Sequence, residues 1–150
     1  MAGQIKEHSD FPCYYDPNTY SYDDFTIYKG SVSKDNLVSR ETIYASGIRQ
    51  HAIPVDYAMA YTYDLKEINI VNKKSPNKLR ALIIKDSYVN PMIFQYAHHF
   101  ETTTYYDIRH NRDRSVFDFV NQNKFDLVIL LYNDEVYVDP MYIFDRVPPK

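Results

Sequence analysis

Leu82-Ile83-Ile84-Lys85-Asp86-Ser87-Tyr88-Val89-Asn90-Pro91 is the stretch on which the fold turns. A short apolar run ends in Asp-Ser, a brief loop follows, and Asn90-Pro91 reads as a helix start, with Asn90 as cap and Pro91 at the first helical position. Arg80 to Lys85 fits a buried strand. A strand followed directly by a helix is the first half of a βαβ unit. It lifts the side chain after the strand, here Ser87, out of the sheet edge.

Reading outward from this stretch, the pattern continues in both period and order. Met92, Ile93, Tyr96 and Phe100 share one face of a helix over 91–100. Thr102 to Asp107 is β-branched and aromatic, as a strand requires. Arg112 to Asn123 carries Val116, Phe117 and Val120 at helical spacing, and Asp126 to Tyr132 is a second apolar run of the buried-strand kind. The order β-α-β-α-β with short loops predicts an α/β domain, a parallel sheet over residues 79–150 with helices packed on it. The polar stretch Lys73-Lys74-Ser75-Pro76-Asn77-Lys78 reads as a loop ahead of it. Residues 1–78 read as a β-rich, tyrosine-rich region within the same single domain. Tyr20 to Tyr28, Tyr57 to Tyr63 and Glu67 to Val71 are its strand candidates, and Gly30 and Gly47 its turn markers.

In a parallel sheet, ligands lie beyond the carboxyl ends of the strands. The chemistry is therefore expected on one rim, where Asp86-Ser87, Asp107 to His110 and Asn133-Asp134-Glu135 should meet. Ser87 is the candidate nucleophile, placed where backbone N–H groups and a helix dipole can steady an oxyanion. The bland alternative is a capping serine. A serine nucleophile needs a base. His110, in Asp107-Ile108-Arg109-His110, follows a strand parallel to the one before Ser87, and Asp107 is placed to orient it. A loop aspartate and a surface histidine are the competing reading. His98 and His99 lie too far along the helix, His8 is near the terminus, and His51 has no assignable position. Asn133, ending the last strand, is a candidate oxyanion donor, with Asn90 as a second polar contact; turn chemistry explains Asn133 equally well.

Composition narrows the classes. The chain has 150 residues, 45% hydrophobic and 25% charged, enough for one domain with a core. Its net charge of −3, with no basic block, argues against nucleic acid as partner. Sixteen tyrosines, no tryptophan and three glycines suggest half-exposed strands, and tyrosine is also common where sugars bind. Cys13 is the single cysteine, so no internal disulfide and no paired-cysteine metal site is expected. Adjacent Asp134 and Glu135, without a histidine at ligand spacing, give no expectation of a metal. There is no Gly-rich phosphate loop and no cofactor is expected. No apolar stretch of membrane-spanning length and no signal-peptide pattern occurs, which fits a cytoplasmic protein or a fragment lacking its export signal.

Leu82 to Tyr137 resembles the C-terminal part of SGNH-hydrolase-like proteins of the DHHW-motif and alginate O-acetyltransferase type. Ile84-Lys85-Asp86-Ser87-Tyr88-Val89-Asn90 looks like that group's serine block. His99-Phe100 and Asp107-Ile108-Arg109 look like its helix end and second strand, and Asp126 to Asn133 like its next strand. The resemblance covers about a third of the chain. It implies a three-layer α/β/α, flavodoxin-like fold and a serine acyltransferase or esterase acting on O-acetyl groups of an extracytoplasmic polysaccharide. Ser87 would form the acetyl-enzyme, and the partner would be a polysaccharide or an acetyl-donor protein. The group's Asp-x-His and His-His-Trp arrangements are missing from this sequence. The base is then His110, or a histidine on a missing upstream portion, or absent. In the last case the domain is a non-catalytic carbohydrate-binding or interaction module.

Overall fold

The computed structural model describes residues 23–43 and 64–134. Tyr57 to Tyr63, Gly47, His8, His51, Cys13 and Glu135 lie outside them. Six strands form one sheet: β1 (Phe25–Lys29), β2 (Leu37–Val38), β3 (Glu67–Asn72), β4 (Arg80–Lys85), β5 (Thr102–Asp107) and β6 (Leu127–Leu131), in the spatial order β2-β1-β3-β5-β4-β6. β5, β4 and β6 are parallel, with Lys85 beside both Asp107 and Leu131. The other half is antiparallel, β3 pairing with β5 on one side and β1 on the other. The fold is α/β on a mixed sheet, with the expected parallel unit as its C-terminal half. Gly30, at φ +95°, turns the chain out of β1 in the left-handed region that glycine adopts without a Cβ penalty.

Order within the parallel unit has a functional consequence. The first of its strands, β4, lies between the second and the third. The chain therefore reverses its direction of winding at β4, and the crevice between β4 and β6 is a topological switch point, where open α/β sheets bind ligands. Ser87 follows β4 at that crevice.

Alternation along β4 sends its side chains to two separate cores. Ile83 joins Ile68, Ile70, Tyr105, Ile93, Phe94 and Ala97 on one face. Leu82 and Ile84 join Tyr106 and Phe119 on the other. Helix α1 (Ile93–Ala97) covers the first face, and the Tyr105 hydroxyl donates to the Ile93 carbonyl. Helix α2 (Val116–Asn123) covers the second, Phe119 stacking on Tyr106 at 4.4 Å between ring centres. No helix among the described residues is long and apolar enough to cross a membrane.

Three local expectations are corrected. The helix after Ser87 is not one continuous helix from Pro91. A 3₁₀ turn runs over Ser87–Met92, and only five residues, Ile93–Ala97, are α-helical. Its cap is Asp86, whose carboxylate accepts from the Tyr88 N–H at 2.9 Å, and Asn90 sits inside the turn with its amide committed elsewhere. An α-helix dipole aimed at Ser87 is therefore lacking. In α2, Phe119 is the buried aromatic at 2% exposure, whereas Phe117 is 37% exposed. Finally, the apolar run in β6 is not buried. Leu127, Val128 and Leu130 are 40–51% exposed because β6 is the edge of the described sheet and α2 packs over Tyr106 rather than over it.

The two α2 phenylalanines give a direct test. Phe119→Ala should lower the unfolding free energy by about 3–5 kcal/mol through loss of buried area and a residual cavity. Phe117→Ala should cost about 1 kcal/mol or less. Denaturant titration of both variants checks the helix phase; equal losses would contradict it.

Candidate active site

The carboxyl ends of β4 and β5 carry a set of charges that the surrounding burial forces into pairs. Lys85 ends β4 on the same face as Ile83 and is completely buried. Its ammonium donates to Asn90 Oδ1 at 2.7 Å and lies 3.6 Å from Asp107 Oδ2 and 3.8 Å from Asp64 Oδ1. Asp107 ends β5, also fully buried, and Arg109 wraps back onto it. The Arg109 Nη2 donates to Asp107 Oδ2 at 2.6 Å, while its Nε and backbone N–H both donate to Oδ1 at 3.0 Å. The same Nη2 reaches Asp64 Oδ2 at 2.9 Å.

Asp64 arrives from outside the βαβ unit, just ahead of β3. Two hydrogen bonds to its backbone bring that segment to the rim. The Lys66 carbonyl accepts the Asp107 N–H at 3.0 Å and the Asn111 amide at 2.7 Å, and the same amide also donates to the Asp107 carbonyl at 2.8 Å. Asp64 Oδ1 then accepts from the Asn90 amide at 2.9 Å. Burial alone would raise its pKa. The Asn90 hydrogen bond, then the charges of Lys85, Arg109 and His110, outweigh that and hold the carboxyl below the ordinary aspartate value of 3.8. Lys85 moves down from its ordinary value because burial disfavours the ammonium; Asp107 and Asp64 oppose the shift.

Asp86 ties β4 to β6 across the switch-point crevice. It is 1% exposed, and besides capping the Ser87 turn its Oδ2 accepts the Asn133 backbone N–H at 2.7 Å. Each of these bonds has an ionised acceptor, the stronger kind. Ser87 itself is half-buried at the start of the turn.

Ser87 and Asn90 follow the carboxyl end of β4, Asp107 and His110 lie at that of β5, and Asn133 lies just past that of β6. Their partners differ in detail from those expected from the sequence. Asp107 is engaged by Arg109 and Lys85, and the carboxylate within ion-pair reach of His110 is Asp64, with Nε2 to Oδ2 at 3.8 Å. Asn90 bridges Lys85 and Asp64. The main-chain N–H of Asn133 is taken by Asp86. His98 lies at the other end of the sheet, against Phe25 with ring centres 4.7 Å apart, beside His99. Asp64, Lys85 and Arg109 had no sequence signal as site residues, because what unites them is long-range charge pairing.

Asp64, Asp107 and His110 also present potential metal-donor atoms within 4.8 Å of one another. Both carboxylates already face two cations, Lys85 and Arg109, so a metal ion would have to displace charge partners that burial makes costly to lose. The donor set fits an ion-pair network better than a metal site.

An α/β domain with a serine turn at its switch point is the class that this geometry defines. Among solved structures the chain is similar to PatB1 of Bacillus cereus, with a TM-score of 0.66 and 29% identity over 80% of this chain and 39% of that one. It also resembles PatB1 carrying a sulfonyl adduct, with a TM-score of 0.63 and 23% identity over 97% of this chain and 56% of that one. A DHHW family protein from Eubacterium siraeum gives 0.46 and 23%, over 73% of this chain and 34% of that one. No protein-family model matches the chain, and no curated protein sequence matches it significantly. The chain spans well under two thirds of each of these structures.

The depressed Asp64 pKa makes a pH prediction with a definite sign. A carboxyl held lower in the folded state stabilises the fold above its unfolded pKa and loses that contribution as pH falls through the folded value. The stability of the wild-type chain to urea should fall on acidification below about 3.8. Asp64→Asn, less stable at neutral pH, should show a shallower decline over the same range. Identical slopes would remove Asp64 as an acid-sensitive group.

Proposed function

We propose that the chain is the serine-bearing part of an acyl-ester domain that handles O-acetyl groups on a cell-envelope polysaccharide, outside the cytoplasm. PatB1 is a peptidoglycan O-acetyltransferase. The observation that carries the proposal is the Asp86-capped turn, which starts at Ser87 and sits at the switch point of a sheet sharing PatB1's fold. The sequence resemblance of the serine block points the same way.

In this reading the Ser87 hydroxyl gives its proton to the His110 imidazole as Oγ attacks the acetyl carbonyl carbon of the donor ester. The carbonyl oxygen becomes an oxyanion, met by the Ser87 N–H and the Asn133 side-chain amide. The donor C–O bond then breaks, and its departing oxygen takes the proton from the imidazolium, leaving acetyl-Ser87. A sugar hydroxyl repeats the sequence in reverse. It loses its proton to the imidazole, attacks the acetyl carbon and returns Ser87 to the hydroxyl form. With water as acceptor, the same steps are hydrolysis.

Two assays test this together. A chromogenic acetyl ester should be turned over by the wild-type chain, and Ser87→Ala and His110→Ala should each lower kcat about a hundredfold or more. An arylsulfonyl fluoride should label the Ser87 peptide in the wild type and leave it unlabelled in Ser87→Ala. Labelling and turnover unaffected by Ser87→Ala, or a wild-type chain showing neither, would overturn the proposal.

A further inference from the structure

Taking His110 as the base of the reading above, we propose that Asp64 is the residue that positions it, by holding the imidazole as its Nε2–H tautomer and leaving Nδ1 to exchange protons with Ser87.

The neutral imidazole has one N–H and one lone pair, and a neighbouring acceptor selects which nitrogen carries the proton. Nε2 faces Asp64 Oδ2 at 3.8 Å. That spacing is longer than a hydrogen bond, as unliganded catalytic pairs often are. A lone pair on Nε2 would face a carboxylate oxygen and be repelled; an N–H there is attracted. Among the described residues Asp64 is the carboxylate within ion-pair distance of the imidazole.

The position of Asp64 is itself fixed. Oδ1 receives the Asn90 amide at 2.9 Å and Oδ2 the Arg109 guanidinium at 2.9 Å, with Lys85 3.8 Å from Oδ1. Asn90 belongs to the turn that begins at Ser87. One carboxylate therefore touches the turn that carries the nucleophile and faces the histidine that serves it. Its lowered pKa keeps it charged at neutral pH, which the tautomer selection requires.

Long-range ¹H–¹⁵N correlation of ¹⁵N-histidine-labelled protein, at alkaline pH where the imidazole is neutral, reads the tautomer directly and independently of turnover. We expect Nε2–H at His110 in the wild type and, in Asp64→Asn, a severalfold shift of population toward Nδ1–H. A wild-type protein showing Nδ1–H overturns the proposal without recourse to any variant, as does an unchanged tautomer in folded Asp64→Asn. In the esterase assay, Asp64→Asn should lower kcat about a hundredfold with KM within about twofold. The double variant with His110→Ala should be no slower than His110→Ala alone; additive losses would contradict a role exerted through His110. If Ser87 resists the sulfonyl probe while the tautomer responds to Asp64→Asn, the nucleophile reading fails and the Asp64–His110 pairing stands.

Discussion

Everything on the rim depends on the buried ammonium of Lys85. A lysine with no exposed surface at the end of a central strand costs several kcal/mol in lost hydration unless charges and hydrogen bonds replace the water. Here Asn90, Asp107 and Asp64 replace it. Those three residues come from the turn after β4, the end of β5 and the segment ahead of β3. Satisfying one charge therefore fixes three pieces of backbone relative to one another. Arg109 extends the requirement by binding both carboxylates at once. The consequence is a rigid polar floor under the point where Ser87 leaves the sheet.

The second tie is Asp86, which performs the same service toward β6. By accepting one N–H from its own turn and one from Asn133, it joins the strands on either side of the switch-point crevice. Residues 85 and 86 thus face opposite demands, one a buried cation and the other a buried anion. Ser87, next in line, stands half-buried at the edge they organise. The serine block is a structural device first, and a reactive centre becomes possible because the device is stiff.

The parts of this arrangement legible in the sequence were those coded by local period and order. The runs Arg80–Lys85, Thr102–Asp107 and Asp126–Tyr132 each stood out as strands, and their alternation with helical spacing dictated a parallel unit. That in turn gave the expectation that Ser87, Asp107, His110 and Asn133 share one rim. Other features depended on tertiary context. Asn90 looks like a helix cap by residue type, yet its amide is worth more between Lys85 and Asp64. Phe117 and Phe119 both fit a helix, and only the position of Tyr106 decides which one is buried. The run in β6 is as apolar as β4, and nothing local tells an edge strand from a central one. Asp64 lies some twenty residues before the serine block in the sequence, and no spacing rule connects it to Arg109 or His110.

Charge pairing through Lys85 holds the segment ahead of β3 against the serine turn. A double-mutant cycle between Lys85→Met and Asp64→Asn, read by urea unfolding at neutral pH, measures that pairing directly. We predict a coupling of about 1–3 kcal/mol, the second substitution costing far less once the first has removed its partner. Additive losses would show that Lys85 and Asp64 do not depend on one another, and the account of the rim would fall with them.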